Sequence, residues 1–529
     1  MAESENSVRR YRLSYGLIIL ALFFFRLWFS GSLPLSGDET YHWEWSRHLA
    51  LGYYDHPGLT AYLIKGCTLL FGSSTEISVR FAALLMLTLT SIVAYLLGRA
   101  VVINKKGTEI QAERAGFMSG ILISIIPIYA AFSIYISTDP PLIFFWTLSV
   151  YLFYRALNTG TYPAWILAGA SVGFALMSKF LAFFIMPAVF LFMLISPDDR
   201  KWFGRWQLYA AGGACLLVVS PFVIWNMQNG WPTFMFNFIY RQAQTGLHPL
   251  SALEYVGAQS LAISPIIFVC VLAGIWVGLR KWSSSRDRSA LFLALTSAVP
   301  LLYFLYVGFR RQVGLHWPTA GWVGGIVLWA CYASLDWSGN KVGRRMEKLA
   351  VWSCLIITIT LHLMIHIPQR WITSGWKYSG SPERINLEKS AARYGWKELG
   401  QKVLDLKNEM VSVQNSGKGV FVISDQYGLS SSIAFYAPDQ METHLWVTRK
   451  IHGENYRFWD DYPSMKEMDA IFVTKSKNNA DNVRNWLRKY FEKVEKPECF
   501  PVVHDGNVVR KFYLIRCFVF NGVAPDFQK

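Results

Sequence analysis

The sequence predicts a polytopic α-helical membrane protein with a small α/β domain at its C-terminal end. Three observations carry this: separate apolar runs of spanning length, Lys and Arg concentrated in alternate loops, and ordinary charge density after residue 370. Of the 529 residues, 53% are hydrophobic and only 16% charged, against roughly a quarter charged in soluble domains. The 22 Trp and 26 Tyr suit membrane interfaces, where an amphipathic ring is half in lipid and half wet. Such a balance excludes a disordered chain, a fibrous one and a single soluble enzyme domain.

A bilayer core of about 30 Å takes roughly 20 apolar residues per helix. Spans are expected near 14–33, 78–98, 115–135, 140–157, 162–177, 180–196, 207–225, 259–279, 289–308, 319–336 and 349–367, about 11 transmembrane helices in all. The run Leu17–Trp28 behind Arg9, Arg10 and Arg12 resembles a signal-peptide core, but the parity of the later loops favours an uncleaved anchor. One alternate set of loops holds Arg9, Arg10 and Arg12, then Arg99, Lys105, Lys106 and Arg114, then Arg155, then Arg200, Lys201 and Arg205. It continues with Arg280, Lys281, Arg286 and Arg288 and ends with Lys341, Arg344, Arg345 and Lys348. The other set offers only Arg47, Lys65, Lys179, Arg241, Arg310 and Arg311. The first set, with the N-terminus, is therefore expected in the cytoplasm. The net charge of +16 is read as this bias rather than as a nucleic-acid surface, because the basic residues fall between apolar runs.

This topology gives a membrane domain over 1–369 and an extracytoplasmic α/β domain over 370–529. The first external loop, 34–77, has amphipathic stretches at 39–51 and 59–71, expected to lie along the interface. In the outer domain Gly419–Ser424, Met468–Thr474 and Phe512–Phe520 read as strands and 428–436 as a helix. Seven scattered cysteines make no disulfide framework. Cys499 and Cys517 could pair if that domain faces an oxidising space.

The polar groups with chemical potential cluster at the outer membrane boundary. That favours an enzyme at the membrane surface over an alternating-access transporter, whose sites lie near the midplane. In Ser36-Gly37-Asp38-Glu39-Thr40-Tyr41, Asp38 could cap a helix with Glu39 in its first turn. The alternative is a general base that takes a proton from an acceptor hydroxyl. In Ser137-Thr138-Asp139-Pro140-Pro141, Asp139 reads as an N-cap with proline at N1. Lys179, in Ser178-Lys179-Phe180, either snorkels or faces a phosphate, as Arg241, Arg310 and Arg311 could. His42, His48, His56, His248 and His316 are all external. No HxxxH spacing supports a metal, although Asp55-His56 keeps a divalent ion open as a cofactor.

Gly37-Asp38-Glu39-Thr40-Tyr41, then Gly52-Tyr53-Tyr54-Asp55-His56-Pro57, then Val79-Arg80 resembles the first-loop pattern of GT-C glycosyltransferases. The resemblance is to the bacterial branch of the dolichyl-phosphate-mannose–protein mannosyltransferase and aminoarabinose (lipid A) transferase superfamily. Thr138-Asp139-Pro140-Pro141, Ser178-Lys179-Phe180, Trp225-Asn226 with Asn229-Gly230-Trp231, and His316-Trp317-Pro318 are similar to further family positions, in order over roughly residues 10–370. The resemblance implies a GT-C fold and transfer of a sugar from a polyprenyl-phosphate carrier to a hydroxyl of an envelope glycolipid, glycan or protein. Transfer would take place on the outer face of the inner membrane, with inversion.

It further implies Asp38 as base, with Glu39 and Asp139 in support. Lys179, Arg241, Arg310, Arg311 and His56 would meet the carrier phosphate, and Tyr41, Tyr54, Asp55, Trp231 and His316 the acceptor or sugar. The family's aminoarabinose transferases have Glu-Lys-Pro-Pro where this chain has Asp55-His56-Pro57-Gly58, which leaves donor and acceptor open. A lipid-linked-sugar flippase is the alternative. It calls for charged residues within the spans, where Arg26 is the evident one.

Overall fold

In the computed structural model the described residues are 2–239, 246–335, 341–366, 395–413, 417–446, 455–504 and 507–525. The chain divides into two compact units. The first comprises Met1–Ser30, His56–Leu63 and Arg80–Ile365, and the second Gly31–Asp55, Ile64–Val79 and His366–Lys529.

The first unit is helical. Six of its helices are long and apolar enough to cross a membrane: Glu5–Gly31, Glu76–Asn104, Trp206–Gln228, Pro265–Ser285, Arg288–Gly308 and Gly343–Leu363. A seventh candidate is the pair Phe180–Ile195 and Pro197–Gly204, bent by 117°. The other expected stretches are helical too, at Glu109–Ile125, Asp139–Thr159, Tyr162–Ser178 and Trp322–Leu335. Two boundaries differ from the sequence reading. The expected span 115–135 is broken between Glu109–Ile125 and Pro127–Phe132, and 259–279 between Pro249–Ile263 and Pro265–Ser285. Each break falls just before a proline, which has no N–H for the helical ladder and drives the preceding residue out of the helical region. Ile126 and Ser264 accordingly have extended ψ values, 131° and 132°.

The bundle is packed from Trp146, Trp165, Trp329, Phe292 and their neighbours. Helices Tyr162–Ser178 and Trp206–Gln228 approach so closely that a Cβ on Gly169 would sit 1.9 Å from the Ala211 carbonyl oxygen, the small-residue packing usual between membrane helices. Leu216, Leu217, Leu302 and Trp352 are large apolar side chains left exposed on the bundle surface. In water such a surface would drive aggregation, and in lipid it is at home. At one end of the bundle the buried Glu113 accepts from Arg12 at 2.6 Å, Arg99 at 2.7 Å and Tyr95. This fastens helices Glu5–Gly31 and Glu76–Asn104 to Glu109–Ile125.

The second unit holds a six-stranded sheet. Its strands are β1 (Val420–Ser424), β2 (Thr443–Leu445), β3 (Asp469–Thr474), β4 (Phe491–Val494), β5 (Glu498–His504) and β6 (Asn507–Phe520). The order is β2-β1-β3-β6-β4, with β5 also paired to β6. β1, β2 and β3 are parallel, while β6 runs antiparallel to β3, β4 and β5. The two central parallel strands are buried along their whole length, which is why they read as continuous apolar runs.

The helix Trp396–Val413 buries Trp396, Leu399, Val403, Leu406 and Met410, a helical-period stripe. Cys499 and Cys517 are both free. Cys499 lies opposite Tyr513, four residues from Cys517 on β6, so roughly 13 Å separates them, too far for a disulfide.

Helix Gly37–Arg47 also belongs to this unit. Every residue from Glu39 to Ser46 is buried, so it is a core helix of the unit. It packs on helix Tyr427–Tyr436. Leu35 N–H donates to the Tyr436 hydroxyl at 2.6 Å, and the hydroxyls of Thr40 and Ser431 are 2.8 Å apart.

Candidate active site

The acidic motif is resolved into two different jobs. Ser36 is the N-cap: its hydroxyl accepts from Glu39 N–H at 3.3 Å, and Glu39 Oε2 accepts from Ser36 N–H at 2.9 Å. This reciprocal capping box consumes the buried Glu39 carboxylate. The capping role weighed for Asp38 therefore falls to Ser36. Asp38 is exposed, and its Oδ1 accepts from the Tyr427 hydroxyl at 2.7 Å.

One turn on, Tyr41 donates to Asp55 Oδ2 at 2.7 Å, and Asn455 Nδ2 donates to the Tyr41 hydroxyl at 2.6 Å. Asn455 Oδ1 in turn accepts from Tyr54 N–H at 2.6 Å. Burial first, and then the charge of Asp55, push the Tyr41 phenol well above its ordinary value, so it stays a donor. Burial pulls the His42 imidazole down. Its Nδ1 lies 2.6 Å from the Asp38 carbonyl oxygen, which places the proton on Nδ1.

Among the described residues, Glu44, His48 and Glu442 have the spacing of a metal site, but their chemistry is that of an ion-pair cluster. Arg47 meets Glu44 at 3.1 Å and Glu442 at 2.6 Å. Burial opposes charge on His48, yet its bonds to Glu44 and Glu442 outweigh burial and hold it at about 9. A cation binding there would have to displace the imidazole proton.

A group raised on folding stabilises the fold below its unfolded value, about 6.5 for His. It loses that contribution as pH rises through its folded value. The melting temperature should therefore fall between about pH 6.5 and about pH 9, by roughly 2–4 °C for each kcal/mol lost. His48→Gln should flatten the curve, and a flat wild-type curve would show that His48 carries no charge.

In the first unit, Lys179 ends helix Tyr162–Ser178 in an extended conformation, φ −162°. Its Nζ meets Asp139 Oδ1 at 2.8 Å and Oδ2 at 3.0 Å. Asp139 is the first residue of helix Asp139–Thr159 with Thr138 as N-cap, so the N-cap expectation for Asp139 shifts by one residue. Its carboxylate still lies at the favourable positive end of the helix. Both members are buried, with 8% of the Lys179 and 4% of the Asp139 side chain exposed. Lys179, His56 and Arg311 line one cavity of about 160 Å³, together with Asn237, Trp317 and an apolar wall of Phe180, Phe183, Phe184, Tyr303 and Phe304. The Arg311 guanidinium lies 5.3 Å over the Trp317 ring. Phe183 is shared with a second, almost wholly apolar groove lined by Phe153, Val172, Met186, Phe190 and Met193.

The candidates thus fall into two groups. Asp38, Glu39, Tyr41, Tyr54 and Asp55 gather in the second unit, and Asp139, Lys179, His56 and Arg311 in the first. Arg310 is exposed beside Tyr306, Trp231 is 43% exposed with φ +59°, and His316 is outside the cavity lining. Arg241 lies outside the described residues. Tyr427, Asn455 and Asn237 were missed, and nothing local in the sequence marks them.

The fold has solved counterparts. Over 98% of its length the chain matches 99% of the crystal structure of ArnT from Cupriavidus metallidurans, with a TM-score of 0.59 at 14% identity. The same protein bound to undecaprenyl phosphate matches with a TM-score of 0.58 at 13% identity. At this identity the likeness shows the fold: a helical bundle with several helices long and apolar enough to cross a membrane, joined to a small sheet-bearing unit.

Residues 55–225 match the family described as dolichyl-phosphate-mannose-protein mannosyltransferase. The chain is 25% identical to the lipid A galacturonosyltransferase RgtD of Rhizobium johnstonii, over 62% of this chain and 67% of that one. It is 26% identical to an undecaprenyl phosphate-alpha-4-amino-4-deoxy-L-arabinose arabinosyl transferase of Proteus mirabilis, over 55% and 54%. The chain thus spans about two thirds of the first relative and about half of the second.

Proposed function

We propose that the protein moves a sugar from an undecaprenyl-phosphate-type carrier to a hydroxyl of a lipid A-class glycolipid on the outer face of the inner membrane, with inversion. The observation that carries this reading is the cavity in which His56, Lys179 and Arg311 meet an aromatic wall. A phosphate on a hydrocarbon chain asks for that pairing of cations with apolar surface. The groove sharing Phe183 suits the prenyl tail.

As the acceptor oxygen bonds to the anomeric carbon, its proton passes to a base, the role that the sequence resemblance gives to Asp38. The carbon–phosphate-oxygen bond breaks, and its electron pair leaves with the phosphate. Arg311 and His56, with Lys179 oriented by Asp139, meet the charge gathering on that leaving group, which lowers the barrier where it counts. The names of the relatives, both lipid-linked-sugar or lipid A transferases, support the donor and acceptor classes. Outward placement of the acidic helix rests on the loop charges.

Mass spectrometry of lipid A and other envelope lipids from cells with and without the gene tests the reading. One sugar-sized mass difference should vanish with the gene and name the sugar class. An unchanged glycolipid profile, with a lipid-linked sugar accumulating on the inner leaflet, would replace it by the flippase reading.

A further inference from the structure

Gly37 and Gly428 face each other where helices Gly37–Arg47 and Tyr427–Tyr436 cross. A Cβ on Gly37 would sit 3.0 Å from Gly428 Cα, and one on Gly428 3.2 Å from Gly37 Cα. Two bare backbones in contact make the next residues along, Asp38 and Tyr427, neighbours as well. The Tyr427 hydroxyl then donates to Asp38 Oδ1 at 2.7 Å, while its ring lies 4.7 Å from that of Tyr41. Tyr41 is itself fixed by Asp55 and Asn455.

We propose that Tyr427, supplied by the C-terminal sheet unit, is a positioning residue for the base Asp38. Its hydroxyl fixes the rotamer of the carboxylate that receives the acceptor proton. This rests on the reading of Asp38 as the base. Burial, and then the charge of Asp38, hold the phenol above its ordinary value, so Tyr427 keeps its proton throughout. A hydrogen bond to a carboxylate favours its charged form, the form that accepts a proton. The arrangement gives the C-terminal unit a part in the chemistry.

The test uses the full-length protein in lipid nanodiscs with lipid A as acceptor. The donors are undecaprenyl phosphate-linked 4-amino-4-deoxy-L-arabinose and galacturonic acid, assayed separately. Tyr427→Phe should lower kcat on the order of ten- to a hundredfold, leave the donor KM and undecaprenyl phosphate binding unchanged, and move the acidic limb of the pH–rate profile to higher pH. Trifluorotyrosine at 427, a stronger donor of the same shape, should move that limb to lower pH. A purely structural Tyr427 would move neither limb. If Asp38→Asn is inactive while both Tyr427 variants keep the wild-type profile, the inference is overturned and the base assignment stands. If Asp38→Asn is active, both fall.

Discussion

Asp38→Asn should abolish transfer while leaving insertion and folding intact. The expected loss is on the order of 10²–10⁴, the range contributed by a positioned general base. The fold has little to lose at this position. Asp38 does not cap its helix, since Ser36 and Glu39 close the capping box between them. Removing the charge costs at most about 1 kcal/mol of interaction with the helix dipole. The adjacent acid supplies the control. Glu39→Gln keeps an acceptor for Ser36 N–H, as glutamine serves equally in a capping box, and should retain most of the activity. The measurement is lipid A mass spectrometry on cells complemented with each variant, with size-exclusion profiles of the purified proteins. Full restoration by Asp38→Asn would remove the carboxylate from the mechanism.

The contrast between these two neighbouring acids marks the limit of what the sequence makes legible. The motif announces itself because two carboxylates stand just past the end of an apolar span. The box Ser36-x-x-Glu39 is also written locally. What is not local is the partner that distinguishes Asp38, since Tyr427 lies 389 residues away and only the glycine contact brings it close. Asn455 is hidden for the same reason.

The helices follow a similar rule. Each expected apolar stretch falls on a helix, because hydrophobicity over 20 residues is a local sum. The breaks at Ile126-Pro127 and Ser264-Pro265 were lost because the same sum is indifferent to one missing N–H. In the second unit β1 and β3 are visible as buried apolar runs. β2 is only three residues long, and β4 reads FEKV with just its ends buried; neither carries a period to detect. Asp139 and Lys179 were each singled out, but 40 residues apart and for separate tasks, so their pairing appears only in the fold.

That pairing sets the second large effect. Lys179→Met leaves the Asp139 carboxylate buried with no ammonium against it. Breaking one partner of a buried pair costs roughly 3–5 kcal/mol, enough to remove a large part of a typical domain's stability. Folded yield from membranes should drop sharply. Asp139→Asn/Lys179→Met removes both charges with little change of volume, and such replacements are often neutral or stabilising. Folded yield and melting temperature should therefore recover in the double variant.

Activity separates the structural role from the chemical one. If Lys179 meets the carrier phosphate in the cavity it shares with His56 and Arg311, the double variant folds yet binds undecaprenyl phosphate weakly and transfers slowly. Thermal unfolding in detergent and undecaprenyl phosphate titration on all three variants decide the matter. A double variant with wild-type affinity would confine the pair to holding helices Asp139–Thr159 and Tyr162–Ser178 together. The phosphate would then be left to Arg311 and His56. A single variant as stable as wild type would instead mean that water or lipid headgroups reach Asp139, contrary to its burial. Because the two charges cancel, only their joint removal distinguishes a lysine kept for its substrate from one kept for its aspartate.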